Sequence, residues 1–147
     1  MLIITIVGQV VISGEEKAVE KATELLNQKG ARKTIFLNTS GPFHTIKLEK
    51  AKIEFEKALE NIEIREGKVP VIKNIDGLPY NNNNVKEILA RHMISPVRFD
   101  KTLEYMKNER IDTFIEIGPG KTMTGFVKKE IKDVNLINIC NVESLES

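Results

Sequence analysis

The stretch 113-TFIEIGPGKTMTG-125 decides the fold class of this sequence. Its first five residues are apolar enough for a buried strand, and the glycines that follow predict a tight turn. A helix is predicted from about residue 121 to 131, and a last strand at 134-VNLINIC-140. Strand, helix and strand in this order are typical of an α/β protein.

The same alternation extends toward the N-terminus. Residues 3 to 13 are rich in Val and Ile and predict a strand, and Ser13-Gly14-Glu15-Glu16 supplies the start of a helix. The remaining segments each carry a helical or a strand-like apolar pattern. Helices are predicted over 15 to 29, 45 to 60, 85 to 93 and from Pro96 to Lys107; strands over 33-KTIFLN-38 and 69-VPVIKNI-75; and a loop over 76 to 84.

Composition limits the classes of protein that this chain can be. Its 147 residues match one domain, and 41% hydrophobic with 29% charged residues is typical of a soluble globular protein. A net charge of +1 gives no general reason to expect nucleic acid or an anionic membrane as partner. The apolar start lacks the basic segment of a signal peptide and is too short to span a membrane. The single cysteine, Cys140, is expected in the core of a cytoplasmic protein.

Three familiar catalytic motifs fail on inspection. The GKT of the glycine turn would close a phosphate-binding loop, but Ile115 stands where that motif needs glycine. None of the five serines has glycine two residues away on both sides, so these residues contain no nucleophile elbow. Two histidines and one cysteine give no metal-ligand spacing. The glycine turn itself leaves two interpretations open, an anion-binding turn or simply a tight connection.

His44 is the best candidate for chemistry. It lies in 41-GPFH-44, between a predicted strand and a helix, where catalytic side chains often project from α/β sheets. A histidine there can act as a general base if a partner holds its other nitrogen. Helix capping or a core position remains the alternative, and His92 is expected to be structural or exposed.

Five segments in order carry a resemblance to a known family: GQVVISG, TIFLN, SGPFH, SPVRF and DTFIEIGPGKTMTG. Together they resemble the C-terminal half of malonyl-CoA:acyl-carrier-protein transacylases, over residues 8 to 139. The resemblance implies transfer of malonyl from coenzyme A to acyl carrier protein in fatty-acid synthesis, without a cofactor. It also implies an α/β-hydrolase-like acyltransferase core with a partial ferredoxin-like subdomain, the latter at residues 1–40 and the core at 41–147.

The resemblance assigns roles to individual residues. His44 matches the catalytic histidine, and Phe43 and Gln9 match residues that line the substrate cleft. The backbone of Arg98 or its neighbour would orient the histidine. The serine, the arginine for the malonyl carboxylate and the oxyanion glutamine belong to the family's N-terminal half, so we expect these residues alone to be inactive.

Two further expectations concern partners. A sheet without its neighbouring strands exposes edges and apolar faces, so self-association or contact with an N-terminal half is expected. A non-catalytic α/β interaction module is the alternative function, and an acyltransferase domain of a polyketide synthase is disfavoured by the free-standing type of SGPFH.

Overall fold

The computed structural model describes residues 2–6, 8–39, 41–81 and 83–146. These residues form four strands and six α-helices, with a small parallel sheet, which confirms the predicted α/β class. The elements are β1 (Leu2–Ile6), β2 (Gln9–Ile12), α1 (Glu16–Gln28), a 3-10 turn (Ile46–Leu48), α2 (Glu49–Glu60), α3 (Val85–His92), α4 (Phe99–Asn108), β3 (Thr113–Ile117), α5 (Thr122–Glu130), β4 (Asn135–Ile139) and α6 (Glu143–Glu146).

The C-terminal unit is the predicted strand, helix and strand. β3 and β4 pair in parallel, from Thr113 opposite Asn135 to Ile117 opposite Ile139, and α5 connects them. One face of this sheet packs on α4 and α5, where Leu103, Val127 and Ile131 are buried. The alternation of side chains along a strand leaves the opposite face with apolar residues of its own. These are Ile115, Ile117 and Ile137, with 55%, 78% and 44% of their surface exposed.

The N-terminal segment differs from the prediction of one strand over residues 3 to 13. It forms an antiparallel hairpin instead, in which β1 pairs with β2. Gly8 has a φ of 81°, a left-handed conformation that glycine adopts without steric cost, and it turns the chain back. Val7, within the predicted strand, lies outside the described residues.

Two other predicted strands are wrong. Residues 33–38 form no strand, since no described segment pairs with them, and Ile35, Phe36 and Leu37 are 57 to 64% exposed. Residues 69–75 contribute only an isolated bridge between Ile72 and Pro79. A strand requires a backbone partner as well as a suitable sequence, and among the described residues these segments find little or none.

The helices follow the predicted bounds closely, with two late starts. The α-helix expected from residue 45 begins at Glu49, after the 3-10 turn. The helix expected from Pro96 begins at Phe99, because the N–H of Arg98 donates instead to the carbonyl of Asn74 at 2.7 Å. α6 was not predicted. Cys140 is exposed rather than buried: β4 ends one residue before it, and its N–H bonds to the hydroxyl of Ser144.

The division at residue 40 stays a prediction. β1, from the predicted small subdomain, lies against α4 and α5 of the predicted core. Ser40, which opens the SGPFH segment, lies outside the described residues. No helix in the described part of the chain is long and apolar enough to cross a membrane.

Candidate functional site

The loop that carries His44 is held by the residue after it. Thr45 is buried, its hydroxyl donates to the carbonyl of Pro42 at 2.7 Å, and the same oxygen accepts the N–H of Lys47 at 3.3 Å. The second bond caps the 3-10 turn that leads into α2. The loop therefore has a defined shape on both sides of the histidine.

The backbone of His44 is itself unusual. Its φ is 58°, in the left-handed region that few residues other than glycine adopt. Such a conformation costs free energy and persists only where the surrounding contacts impose it, and residues of this kind cluster at functional sites. The imidazole on this backbone is partly buried.

The imidazole of His44 meets the end of α3. Its Nδ1 lies 2.8 Å from the carbonyl oxygen of His92, the last residue of that helix. Final helical carbonyls have no partner within the helix, so this oxygen is available as an acceptor. A carbonyl can only accept, so Nδ1 carries the proton and donates it. In the neutral ring Nε2 then keeps its lone pair, which is the state a general base requires.

The side chain of His92 has a partner of its own. Its Nε2 lies 3.3 Å from the hydroxyl of Tyr80. Burial lowers the pKa of His92, and the nearby positive charge that His44 can carry lowers it further. Burial likewise raises the pKa of Tyr80, with a smaller contribution from the charge of Asp76. Both groups are therefore neutral near pH 7.

The other predicted site residues occupy different positions. Phe43 is 53% exposed, with its ring beside Gly41. Gln9 opens β2 and is exposed. The guanidinium of Arg98 makes two bonds to Asp100, at 3.0 and 2.9 Å.

The backbone of Arg98 differs from its expected role. Its carbonyl accepts the N–H groups of Lys101 and Thr102 in the first turn of α4. The carbonyl that accepts the hydrogen bond from Nδ1 of His44 belongs to His92, six residues before Arg98. Sequence reasoning expected His92 to be structural or exposed, but it missed the contact of the His92 carbonyl with His44 and the contribution of Tyr80. Neither a backbone acceptor nor a remote hydroxyl leaves a side-chain motif.

The glycine turn before α5 is closed by the protein's own carboxylate. Glu116 accepts the N–H groups of Met123 and Thr124 at 3.1 and 2.8 Å, and the Thr124 hydroxyl as well. These bonds lower the pKa of the Glu116 carboxyl group, and the bond from the Thr124 hydroxyl has the largest effect. Two of the N–H groups that an external anion would need at this helix start are already used, and a carboxylate lies where the anion would bind, which favours the tight connection over an anion site. In the described part of the chain no cluster of three His, Cys, Asp or Glu could hold a metal ion.

Comparison with known proteins places this geometry in a family. The chain is 39% identical over 140 residues to the malonyl CoA-acyl carrier protein transacylase of Bacillus subtilis, covering 95% of this chain and 44% of that protein. It superimposes on the crystal structure of the transacylase from Clostridium perfringens with a TM-score of 0.92 and 40% identity, over 99% of this chain and 46% of that one.

A third relative was solved with a partner. It is a malonyl-transacylase in complex with its type II PKS acyl-carrier protein, 30% identical, with a TM-score of 0.86 over 94% of this chain and 45% of that one. No protein-family model matches the chain. The chain spans less than half the length of these relatives. It belongs to the malonyl CoA-acyl carrier protein transacylase family, of which it represents a C-terminal half.

Proposed function

We propose that this chain supplies the general base of an acyl-carrier-protein S-malonyltransferase that acts in fatty-acid synthesis, in the cytoplasm. The observation that carries the proposal is the bond from Nδ1 of His44 to the carbonyl of His92, which leaves Nε2 free to take a proton. The names of the relatives support the substrate pair, malonyl-CoA and acyl carrier protein.

In the proposed reaction His44 carries one proton in each of the two acyl-transfer steps. Nε2 takes the proton of a serine hydroxyl on the other half of the enzyme, and the serine oxygen attacks the thioester carbonyl of malonyl-CoA. The carbon–sulfur bond breaks, and coenzyme A leaves with the proton from His44. The thiol of acyl carrier protein then gives its proton to Nε2, and its sulfur attacks the carbonyl of the malonyl ester. The bond from that carbonyl carbon to the serine oxygen breaks, and the serine oxygen takes the proton back from His44 as it leaves.

Phe43 and Gln9 are proposed to line the acyl pocket. Phe43 immediately precedes the base and its ring is more than half exposed, so it is available to a substrate. We assign the carbonyl that orients the base to His92 in place of Arg98. A pocket narrowed by an aromatic ring favours malonyl over a branched acyl group.

These 147 residues alone are expected to be inactive, since they contain no G-x-S-x-G serine. Their apolar surfaces indicate where a serine-bearing half would dock. The exposed face of the β3–β4 sheet and the segment 33–38 both present large apolar side chains that a folded protein normally covers. Self-association through the same surfaces is the competing outcome.

Complementation tests the proposal. The chain is mixed with the N-terminal half of the Bacillus subtilis relative, and transfer of radioactive malonyl from coenzyme A to acyl carrier protein is measured. The mixture is expected to transfer, and neither half alone. His44→Ala should lower the rate about 10²–10⁴-fold, the usual contribution of a general base.

A control variant separates the base from surface effects. Glu54→Ala removes an exposed ion pair with Lys57 on α2 and should leave the rate unchanged. Transfer by the isolated chain, lost on His44→Ala, would refute the expected inactivity. Undiminished transfer by a complemented His44→Ala chain would refute the role of the base.

The second candidate function is a non-catalytic interaction module, and the exposed apolar surfaces are what favour it. It predicts a protein partner whose binding survives His44→Ala but is abolished by polar substitutions within residues 3 to 13. The opposite pattern would remove this candidate.

A further inference from the structure

A turn spanning residues 71–80 links α4 to the end of α3. Two backbone hydrogen bonds join its two arms. The N–H of Tyr80 donates to the carbonyl of Val71 at 2.9 Å, and the N–H of Lys73 donates to the carbonyl of Leu78 at 2.8 Å. The turn rests directly on α4: a Cβ added at Gly77 would lie 2.4 Å from the carbonyl carbon of Lys101. Its position relative to α4 therefore has little freedom.

From this turn Tyr80 reaches the second histidine. The hydroxyl lies 3.3 Å from Nε2 of His92, and the two ring centroids are 6.0 Å apart at an interplanar angle of 45°. Both side chains are partly buried. The pKa of His92 is lowered and that of Tyr80 is raised, so near pH 7 the hydrogen bond joins a neutral imidazole and a neutral phenol.

His92 is also the residue whose carbonyl holds His44. α3 ends there, and the next two N–H groups bond back in shorter turns, those of Met93 to Ala90 and of Ile94 to Arg91. The last residues of a helix fray easily, so the direction of a terminal carbonyl needs an additional restraint. A hydrogen bond on the side chain of the same residue provides one.

We propose that Tyr80 is a positioning residue, whose hydroxyl holds the imidazole of His92 and thereby keeps the His92 carbonyl on Nδ1 of His44. The inference deepens the proposed function, since it rests on His44 as the base. The restraint runs from α4 through the turn to Tyr80, His92 and finally His44. Tyr80 itself touches no reacting atom.

The tautomer of His44 is the direct readout. The chain is labelled with ¹⁵N in its two histidines, and the nitrogen shifts report which ring nitrogen carries the proton. His92→Ala leaves one histidine and so assigns the signals. Tyr80→Phe is expected to shift the ratio of Nδ1–H to Nε2–H forms of His44 about fivefold toward Nε2–H, the effect of losing one ordinary hydrogen bond. Tyr105→Phe, which removes the hydroxyl of the other tyrosine, should leave the ratio unchanged.

A double-mutant cycle completes the test. Because Tyr80 acts through the ring of His92, Tyr80→Phe combined with His92→Ala should disturb His44 no more than His92→Ala alone. Additive effects, or a Tyr80→Phe spectrum identical to wild type, would overturn the proposal. Circular dichroism checks that each variant is folded. If the Tyr80→Phe variant does not fold, the His92→Ala variant is used in its place, and an unchanged tautomer ratio of His44 in that variant would overturn the proposal.

The readout needs no partner half, so it is independent of transfer. A tautomer shift together with failed complementation would refute the malonyltransferase proposal and leave the positioning role standing. An unchanged tautomer together with successful complementation would refute the positioning role of Tyr80 and leave the malonyltransferase proposal standing.

Discussion

Replacing Gly77 by alanine should destabilise the protein strongly, for two separable reasons. Gly77 has a φ of 72°, and an L-residue pays about 1 kcal/mol in that region. Its new Cβ would also lie 2.4 Å from the Lys101 carbonyl carbon and 2.6 Å from the Thr102 nitrogen. Ordinary contact begins at 3.4 Å, so the turn and α4 must separate by about 1 Å. Overpacking of this kind costs about 1–3 kcal/mol, giving a total of about 2–4 kcal/mol.

Urea unfolding followed by circular dichroism measures this loss, and two other glycines separate its parts. Gly30 has a φ of 87° with nothing within 4 Å of the added Cβ, so Gly30→Ala should show the dihedral cost alone, about 1 kcal/mol. Gly125, inside α5, has open space and no left-handed φ, and Gly125→Ala should raise stability by up to about 1 kcal/mol. A Gly77→Ala chain within about 0.5 kcal/mol of wild type would show that the contact with α4 is not as described.

Three further outcomes are expected. Thr45→Val removes the bonds to Pro42 and Lys47 and should cost about 1–2 kcal/mol in urea unfolding; an unchanged midpoint would contradict the capping role. The folded-state pKa of Glu116 is below its ordinary 4.5, so its contribution to stability is present above that pH and is lost as pH falls through the lowered value. Glu116→Gln should therefore weaken the acid dependence of the unfolding midpoint, and an identical dependence would refute the argument. In the complemented enzyme, Phe43→Ala should improve methylmalonyl relative to malonyl transfer about tenfold, and an unchanged ratio would remove Phe43 from the pocket.

Sequence reasoning succeeded where the signal is local. The helices follow from apolar periodicity, and the β3–α5–β4 unit follows from an apolar run, a glycine turn and a second run. It failed at residues 33–38 and 69–75, because strand formation depends on a partner backbone that no local pattern encodes. It also missed the turn at Gly8, since a single glycine in an apolar run is only a weak signal for a turn, and its positive φ is seen only in the structure.

The candidate site divides in the same way. His44 could be singled out from its residue type and its place just before a helix, although the strand predicted on its other side is not formed. The group that orients it could not, because every residue has a carbonyl and only the tertiary fold decides which one comes within 2.8 Å. Tyr80, remote in sequence from both GPFH and SPVRF, becomes relevant only through its contact with His92.

The segment with Ile35, Phe36 and Leu37 also gives a protease a point of attack. These three large apolar side chains are more than half exposed, and within the described residues no strand pairs with the segment, so it fits readily into the cleft of a chymotrypsin-like enzyme. A partner that covers the segment would shield these peptide bonds. The rate of chymotrypsin cleavage at residues 35–37 therefore reports whether this surface is exposed or covered.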